Sequence, residues 1–255
     1  MTVNIIDRGS GPPLVLIPGL QGRWEYMRPA VEALSASFRV ITFSLAGADL
    51  DGLVQQATDA LDRAEIERAT ICGVSFGGLV AVRFAARQAP RCAALVLAST
   101  PCPALQLRRR HRMYLKAPWV FGPVFLAESP WRLRPEIRVA IPERRERRAF
   151  SFSAVRTLVS APISLSTMAA RAKVIATANL EADCGGITAP TLIVTGEAHL
   201  DHVVPVEGSA VYQRLIPHAR AAVLRQTGHL GSITRPHEFA AIVRNFVEGH
   251  RDAAA

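Results

Sequence analysis

The stretch that most constrains this chain is Ala69-Thr70-Ile71-Cys72-Gly73-Val74-Ser75-Phe76-Gly77-Gly78-Leu79-Val80. An apolar run with strand character meets Gly-x-Ser-x-Gly and passes at once into a helical pattern. A strand that turns this sharply into a helix forces its turning residue into a strained backbone, and glycines on either side leave room for the turn. The serine oxygen then projects at the carboxyl end of a sheet, under the amino-terminal N–H groups of the following helix, where developing negative charge is favoured. Ser75 is therefore the candidate nucleophile. Gly-x-Ser-x-Gly alone is only three common residues in a loop, so the reading depends on what surrounds it.

The rest of the chain supplies a fold in which such a turn belongs. Val3 to Asp7 alternates weakly, as an edge strand does, and Leu14-Val15-Leu16-Ile17 is a continuous apolar run stopped by Pro18-Gly19, as in a buried parallel strand. Trp24 to Leu34 has helical spacing, Phe38 to Phe43 reads as a strand, Leu53 to Ile66 as a helix, and Ala93 to Ala98 as a strand. After an interruption the alternation resumes, with strands at Thr191 to Thr195 and Ala221 to Leu224 and helices at Pro205 to Leu215 and Pro236 to Val247. Strand and helix in turn predict an α/β fold, a mostly parallel sheet with helices on both faces. The interruption opens at Pro101-Cys102-Pro103 and is rich in arginine, proline and aromatics, with no convincing strand. Residues 1–102 and 185–255 are expected to form the core, and 103–184 an inserted helical cap.

A serine hydroxyl is a poor nucleophile near neutral pH and needs a histidine to take its proton, with a carboxylate to orient that histidine. Both follow strands, at the same sheet edge as Ser75. Asp201 lies in Thr195-Gly196-Glu197-Ala198-His199-Leu200-Asp201-His202-Val203-Val204-Pro205, and His229 lies in Thr227-Gly228-His229-Leu230-Gly231. Glu197 is a competing acid, but the spacing to Val204-Pro205 favours Asp201. His199 and His202 stand in the acid's own loop and are read as surface residues or as supports behind the site, not as the base. On Ile17-Pro18-Gly19-Leu20-Gln21-Gly22, Gly73-Val74-Ser75-Phe76-Gly77, Asp201-His202-Val203-Val204-Pro205 and Gly228-His229, in that chain order, the sequence resembles the α/β-hydrolase family over nearly its whole length. The resemblance implies an eight-stranded sheet, a helical lid after the sixth strand, and an oxyanion hole formed by the backbone N–H groups of Leu20 and Phe76. Two departures stand out. Pro18-Gly19 replaces the usual His-Gly of the oxyanion loop, and Ser44-Leu45-Ala46-Gly47-Ala48-Asp49 keeps only part of a common glycine loop.

These residues imply a cofactor-free, metal-free serine hydrolase that cleaves carboxylic esters or related acyl compounds through an acyl-enzyme. Acyl transfer or carbon–carbon hydrolysis on the same residues is the nearest alternative. A receptor or scaffold of this fold without turnover is the alternative from another class. The expected substrate is a small apolar acyl compound, with Trp24, Tyr114, Trp119, Phe121 and Phe125 as pocket residues, although Trp24 fits core packing better than ligand contact. Between Pro103 and Leu180 there are 15 Arg and Lys against 4 Glu, which accounts for the chain's formal charge of +9. No nucleic-acid-binding motif accompanies that charge, so it is read as solvated helix faces, with a Glu143–Arg147 pair one helical turn apart. Arg108, Arg109, Arg110 and Arg112 are the better candidates for a charged entrance. No apolar run approaches the ~18 residues of a membrane span. Four cysteines without metal-ligand spacing, and no basic-then-apolar leader, point to the cytoplasm.

Overall fold

The computed structural model describes residues 4–103 and 118–251, with the side chains of 118–127 and 251 outside that description. Seven strands form one sheet: β1 (Ile5–Arg8), β2 (Pro13–Ile17), β3 (Arg39–Phe43), β4 (Ala69–Val74), β5 (Cys92–Ala98), β6 (Thr191–Thr195) and β7 (Arg220–Val223). Their order is β1-β3-β2-β4-β5-β6-β7. Only β1 runs antiparallel to its neighbour, pairing Ile5 with Phe43. The eight strands implied by the resemblance are thus seven among the described residues. The residue patterns themselves offer seven apolar runs with strand character, and only Gly9-Ser10-Gly11-Pro12 separates β1 from β2. The helical insert accordingly follows the fifth strand rather than the sixth.

Alternation along the strands sorts side chains to two faces. Val15, Ile17, Ile41, Phe43, Ile71, Leu95, Leu97 and Ile193 point to the side covered by α2 (Leu50–Arg63), α3 (Phe76–Arg87) and α8 (Ser209–Leu215). Leu14, Leu16, Val40, Cys72, Val96 and Val194 face α1 (Arg28–Leu34) and α9 (Pro236–Arg251), whose Phe239 and Val243 are fully buried. Each such aliphatic side chain contributes about 2 kcal/mol by leaving water. Cys72 behaves as a small core hydrophobe, its thiol pushed up to about 12 by burial.

The strand order creates the site. From β2 the chain leaves through α1 to β3 on one side; from β3 it returns through α2 to β4 on the other. β2 and β4 are neighbours, with Ile17 beside Gly73, so the loops leaving their carboxyl ends diverge and open a crevice. Between β5 and β6 lies the insert: α4 (Pro118–Ala140), α5 (Arg144–Ser160), α6 (Leu165–Thr177) and the short α7 (Glu181–Gly185). Leu180, Cys184 and Ile187 belong to the sheet's own core. No described helix is long and apolar enough to cross a membrane.

Candidate active site

Ser75 stands between β4 and α3 with φ 53° and ψ −121°, a conformation that a non-glycine residue holds at about 1–3 kcal/mol. Its own N–H donates to the Ala98 carbonyl at 2.8 Å, and its carbonyl accepts from the Gly78 N–H at 2.9 Å. The glycines around it are required by contact. A Cβ on Gly73 would meet the Gly77 carbonyl, and one on Gly77 would meet the Ile17 carbonyl at the end of β2. Three of the four described non-glycine residues with positive φ, namely Ser75, Ser99 and Gln226, lie at or just beyond the carboxyl ends of strands, where the loops of the site begin.

The loops after β6 and β7 bring the other two residues to Ser75. Three strand spacings separate β7 from β4, about 14 Å, so the loop carrying His229 runs back across the sheet edge. It is zipped to the acid loop by a hydrogen bond from the Glu197 N–H to the Thr227 carbonyl at 2.7 Å. His229 Nε2 stands 3.1 Å from Ser75 Oγ, and Nδ1 stands 3.4 Å from Asp201 Oδ2, long for a hydrogen bond. The Asp201 side chain is 2% exposed and that of His229 10%. Burial alone would raise the Asp201 carboxyl. The His229 hydrogen bond and charge, with the Val203 and Val204 N–H groups each donating to Oδ1 at 2.9 Å, outweigh it and hold the group below the ordinary carboxylate value. Glu197 is engaged elsewhere, accepting from the Gln226 N–H at 3.2 Å. His199 and His202 are exposed.

The loop after β2 lies directly beside the serine, since a Cβ on Gly19 would stand 3.4 Å from Ser75 Cβ. Neither the Leu20 nor the Phe76 N–H has a partner among the described hydrogen bonds. Two charged residues of the insert, neither singled out by the sequence patterns, reach this edge. Arg171 of α6 is 2% exposed and donates to three backbone carbonyls: Leu20 at 3.1 Å, Leu45 at 2.8 Å and Gly47 at 2.9 Å. Its guanidinium packs on Gly22, and burial pulls its pKa down to about 10. Glu136 of α4 is 1% exposed and accepts hydrogen bonds from the loop that carries His229. Arg171 did leave a trace in the sequence, because it falls on the helix face of Met168 and Ile175, in an otherwise apolar stretch. Glu136, among arginines, left none.

The expected pocket residues fare differently. Trp24 is half-buried in a turn before α1, with the Arg28 guanidinium 5.7 Å from its ring centre. Tyr114 lies outside the described residues, as do Arg108, Arg109, Arg110 and Arg112; for Trp119, Phe121 and Phe125 only the backbone of α4 is described. Trp131 and Phe152, two further insert aromatics, are 73% and 72% exposed and so do not pack the insert. The Glu143–Arg147 pair is replaced: Arg147 donates to the Ile141 and Pro142 carbonyls, closing the turn before α5. A groove of about 600 Å³ runs along α4 and α5, lined by Arg134, Arg138, Arg144, Arg147 and Arg148, and includes none of the residues around Ser75.

A family model described as alpha/beta hydrolase fold matches residues 12–236, and the chain belongs to that family. It is 27% identical to a pimeloyl-[acyl-carrier protein] methyl ester esterase of Nitrosomonas europaea, over 94% of this chain and 97% of the relative. It is 29% identical to a 2-hydroxymuconate semialdehyde hydrolase of a Pseudomonas species, over 99% and 92% respectively. The crystal structure of an enol-lactonase from Burkholderia xenovorans superposes with a TM-score of 0.79 at 23% identity, covering 96% of both chains. These relatives are esterases and hydrolases.

Proposed function

We propose that the chain is a serine hydrolase of carboxylic esters or related acyl compounds, with Ser75 as nucleophile, His229 as general base and acid, and Asp201 as the residue that orients His229. The reading is carried by the 3.1 Å approach of His229 Nε2 to the oxygen of a serine held at a strained strand-to-helix turn. Ser75 Oγ attacks the acyl carbon while Nε2 takes its proton. The proton passes to the leaving alcohol as the tetrahedral intermediate collapses to an acyl-enzyme. Water activated by the same imidazole then releases the acid and restores the serine. The depressed Asp201 carboxyl stays ionised through the cycle and balances the imidazolium. The N–H groups of Leu20 and Phe76 are the proposed oxyanion donors, each worth about 3–4 kcal/mol to the transition state. Because they are backbone groups, Pro18 in place of histidine does not remove them.

The substrate we infer is a small apolar acyl compound, in keeping with the methyl ester and lactone in the names of two relatives. We assign the aromatic stretch with Tyr114, Trp119, Phe121 and Phe125 to its pocket, within a cap spanning 103–184. Free buried thiols at Cys72, Cys92 and Cys184 support a reducing compartment such as the cytoplasm. The test is a fluorophosphonate probe followed by peptide mapping, alongside a panel of short and long acyl esters. Labelling is expected at Ser75 alone, and S75A is expected to lose about 10⁶ in kcat. A binder without turnover would neither label nor cleave. An S75A variant with a tenth of the wild-type activity would remove Ser75 from the role.

A further inference from the structure

Among the described residues, Glu136 is the one buried carboxylate at the site edge that the proposed chemistry does not use. It belongs to the insert, near the end of α4, yet its hydrogen bonds all go to the sheet domain. Oε1 accepts from Thr227 Oγ1 at 2.9 Å, from the Gly228 N–H at 2.9 Å and from the Leu230 N–H at 2.6 Å. Gly228 and Leu230 flank His229. One carboxylate oxygen therefore ties down the backbone before and after the proposed base, in a loop that overhangs the sheet edge from β7. Asp201 holds the imidazole at the ring, and Glu136 holds the same residue through its backbone.

The arrangement makes poor sense as a device for stability. Glu136 Oε2 is buried with no hydrogen-bond partner among the described residues. Burial pushes the carboxyl up, against the three donors and the charge of His229. An apolar side chain would fill the same space at less expense of desolvation, but it could not receive two amides and a hydroxyl at one point. Resting on the reading of Ser75, His229 and Asp201 given above, the geometry points to Glu136 as a positioning residue: through the amides of Gly228 and Leu230 the insert sets where the general base stands. The active site is then assembled only when the insert is seated, although every reacting group belongs to the sheet.

The test uses the full chain with E136L, E136Q and E136D. It reads kcat and KM on a neutral p-nitrophenyl ester, the rate of fluorophosphonate labelling at Ser75, and a thermal melt. Leucine keeps the volume and removes the acceptor. E136L is expected to lower kcat and the labelling rate about 100-fold, the scale of a small misplacement of a catalytic group, with KM within about threefold. Glutamine keeps an acceptor oxygen, so E136Q is expected within about threefold of wild type. A folded E136L with near-normal kcat would overturn the inference, as would a loss confined to KM, or an E136Q as impaired as E136L. If E136L does not fold, E136D decides: one methylene shorter, it draws the carboxylate back from both amides and is expected to lose about tenfold in kcat and labelling, and an unchanged rate would count against the inference. H229A is the control. If it still turns over, the serine-hydrolase reading itself fails; if it is inactive while all three Glu136 variants are normal, only the positioning role fails.

Discussion

The carboxyl edge of the sheet and the helical insert divide the work of this molecule. Every group proposed to react lies on a loop leaving the sheet: Ser75 after β4, Asp201 after β6, His229 after β7, with the Leu20 amide after β2. The insert offers no reacting group among its described residues, but it sends in Glu136, Arg171 and the Ala161 carbonyl, which accepts from Tyr26 Oη at 3.2 Å. The sheet loops start from strands fixed by parallel pairing and are free only at their tips. The insert touches those tips. Rigidity where bonds change is thus built from both sides, and the two sides can be separated by experiment.

The largest separation is expected within the sheet edge. D201N should lower kcat by about 10⁴, because an amide favours the wrong His229 tautomer and cannot balance the imidazolium. E197Q, whose carboxylate meets Gln226 and not His229, should stay within about threefold by the same assay. The reverse ranking would move the acid to Glu197.

On the insert side, R171L removes at once the three hydrogen bonds that a buried guanidinium donates to backbone carbonyls. A destabilisation of about 3 kcal/mol is expected in a urea melt, with kcat reduced because the Leu20 loop loosens. Arg83 gives the contrast: it sits between Asp51 and Asp183, each at 2.9 Å, whereas the described partners of Arg171 are all backbone oxygens. R171K should not rescue, since one ammonium cannot span three carbonyls held in a fork.

A finer comparison pits two buried carboxylates against each other. Asp201 lies below its ordinary value in the fold and Glu136 above it. The stabilisation from Asp201 is present above its unfolded pKa and fades as pH falls through the folded one, so the melting deficit of D201N should shrink on acidification. For Glu136 the sign is opposite. Ionisation opposes folding, and the burden grows as pH rises from the ordinary carboxylate value through the raised one. E136Q should therefore gain on wild type as pH climbs from about 3 to about 8. Melts of the two variants across that range should give slopes of opposite sign, and parallel slopes would contradict the burial described for one of the pair.

The smallest expected effect concerns the arginine groove on α4 and α5. It includes none of the residues around Ser75, so R138Q/R144Q/R148Q should change kcat/KM by less than about twofold, for neutral and anionic esters alike and at low and high salt. A preference for the anionic ester that salt and this triple variant both abolish would make the groove part of the substrate's path.

What the sequence made legible follows the same division. Buried parallel strands announce themselves as apolar runs, and Leu14 to Ile17, Thr191 to Thr195 and Ala93 to Ala98 fall within a residue of β2, β6 and β5. Ser75, Asp201 and His229 could be read because residues at strand ends share one edge whatever else the fold does. The helix expected over Trp24 to Leu34 begins later, at Arg28, behind a tight turn, with Pro29 in its first turn where a missing N–H does no harm. In the insert, Trp131 and Phe152 face solvent, so aromatic content there does not mark which side chains are buried. Arg171 showed itself only as a charge on an apolar helix face, and the roles of Glu136 and Arg171 stayed hidden for a physical reason. Apart from the Thr227 hydroxyl on Glu136, the two side chains bind backbone atoms on distant loops, and a peptide N–H or carbonyl carries no residue signature.

A side chain that grips backbone is indifferent to the identity of the residue it grips. Leu20 and Leu45 can each be exchanged without removing the carbonyl that Arg171 holds, whereas Gly47, at φ 83°, is kept by its own backbone conformation. The loops around the crevice are therefore free to drift in sequence and retune what they admit, while the fastening stays in place. The freedom is one-sided, because Arg171 itself has no such latitude. In a chimera that carries a foreign insert on this sheet, the inheritance to preserve is a fork of donors at the position of Arg171, and the crevice residues can come from either parent.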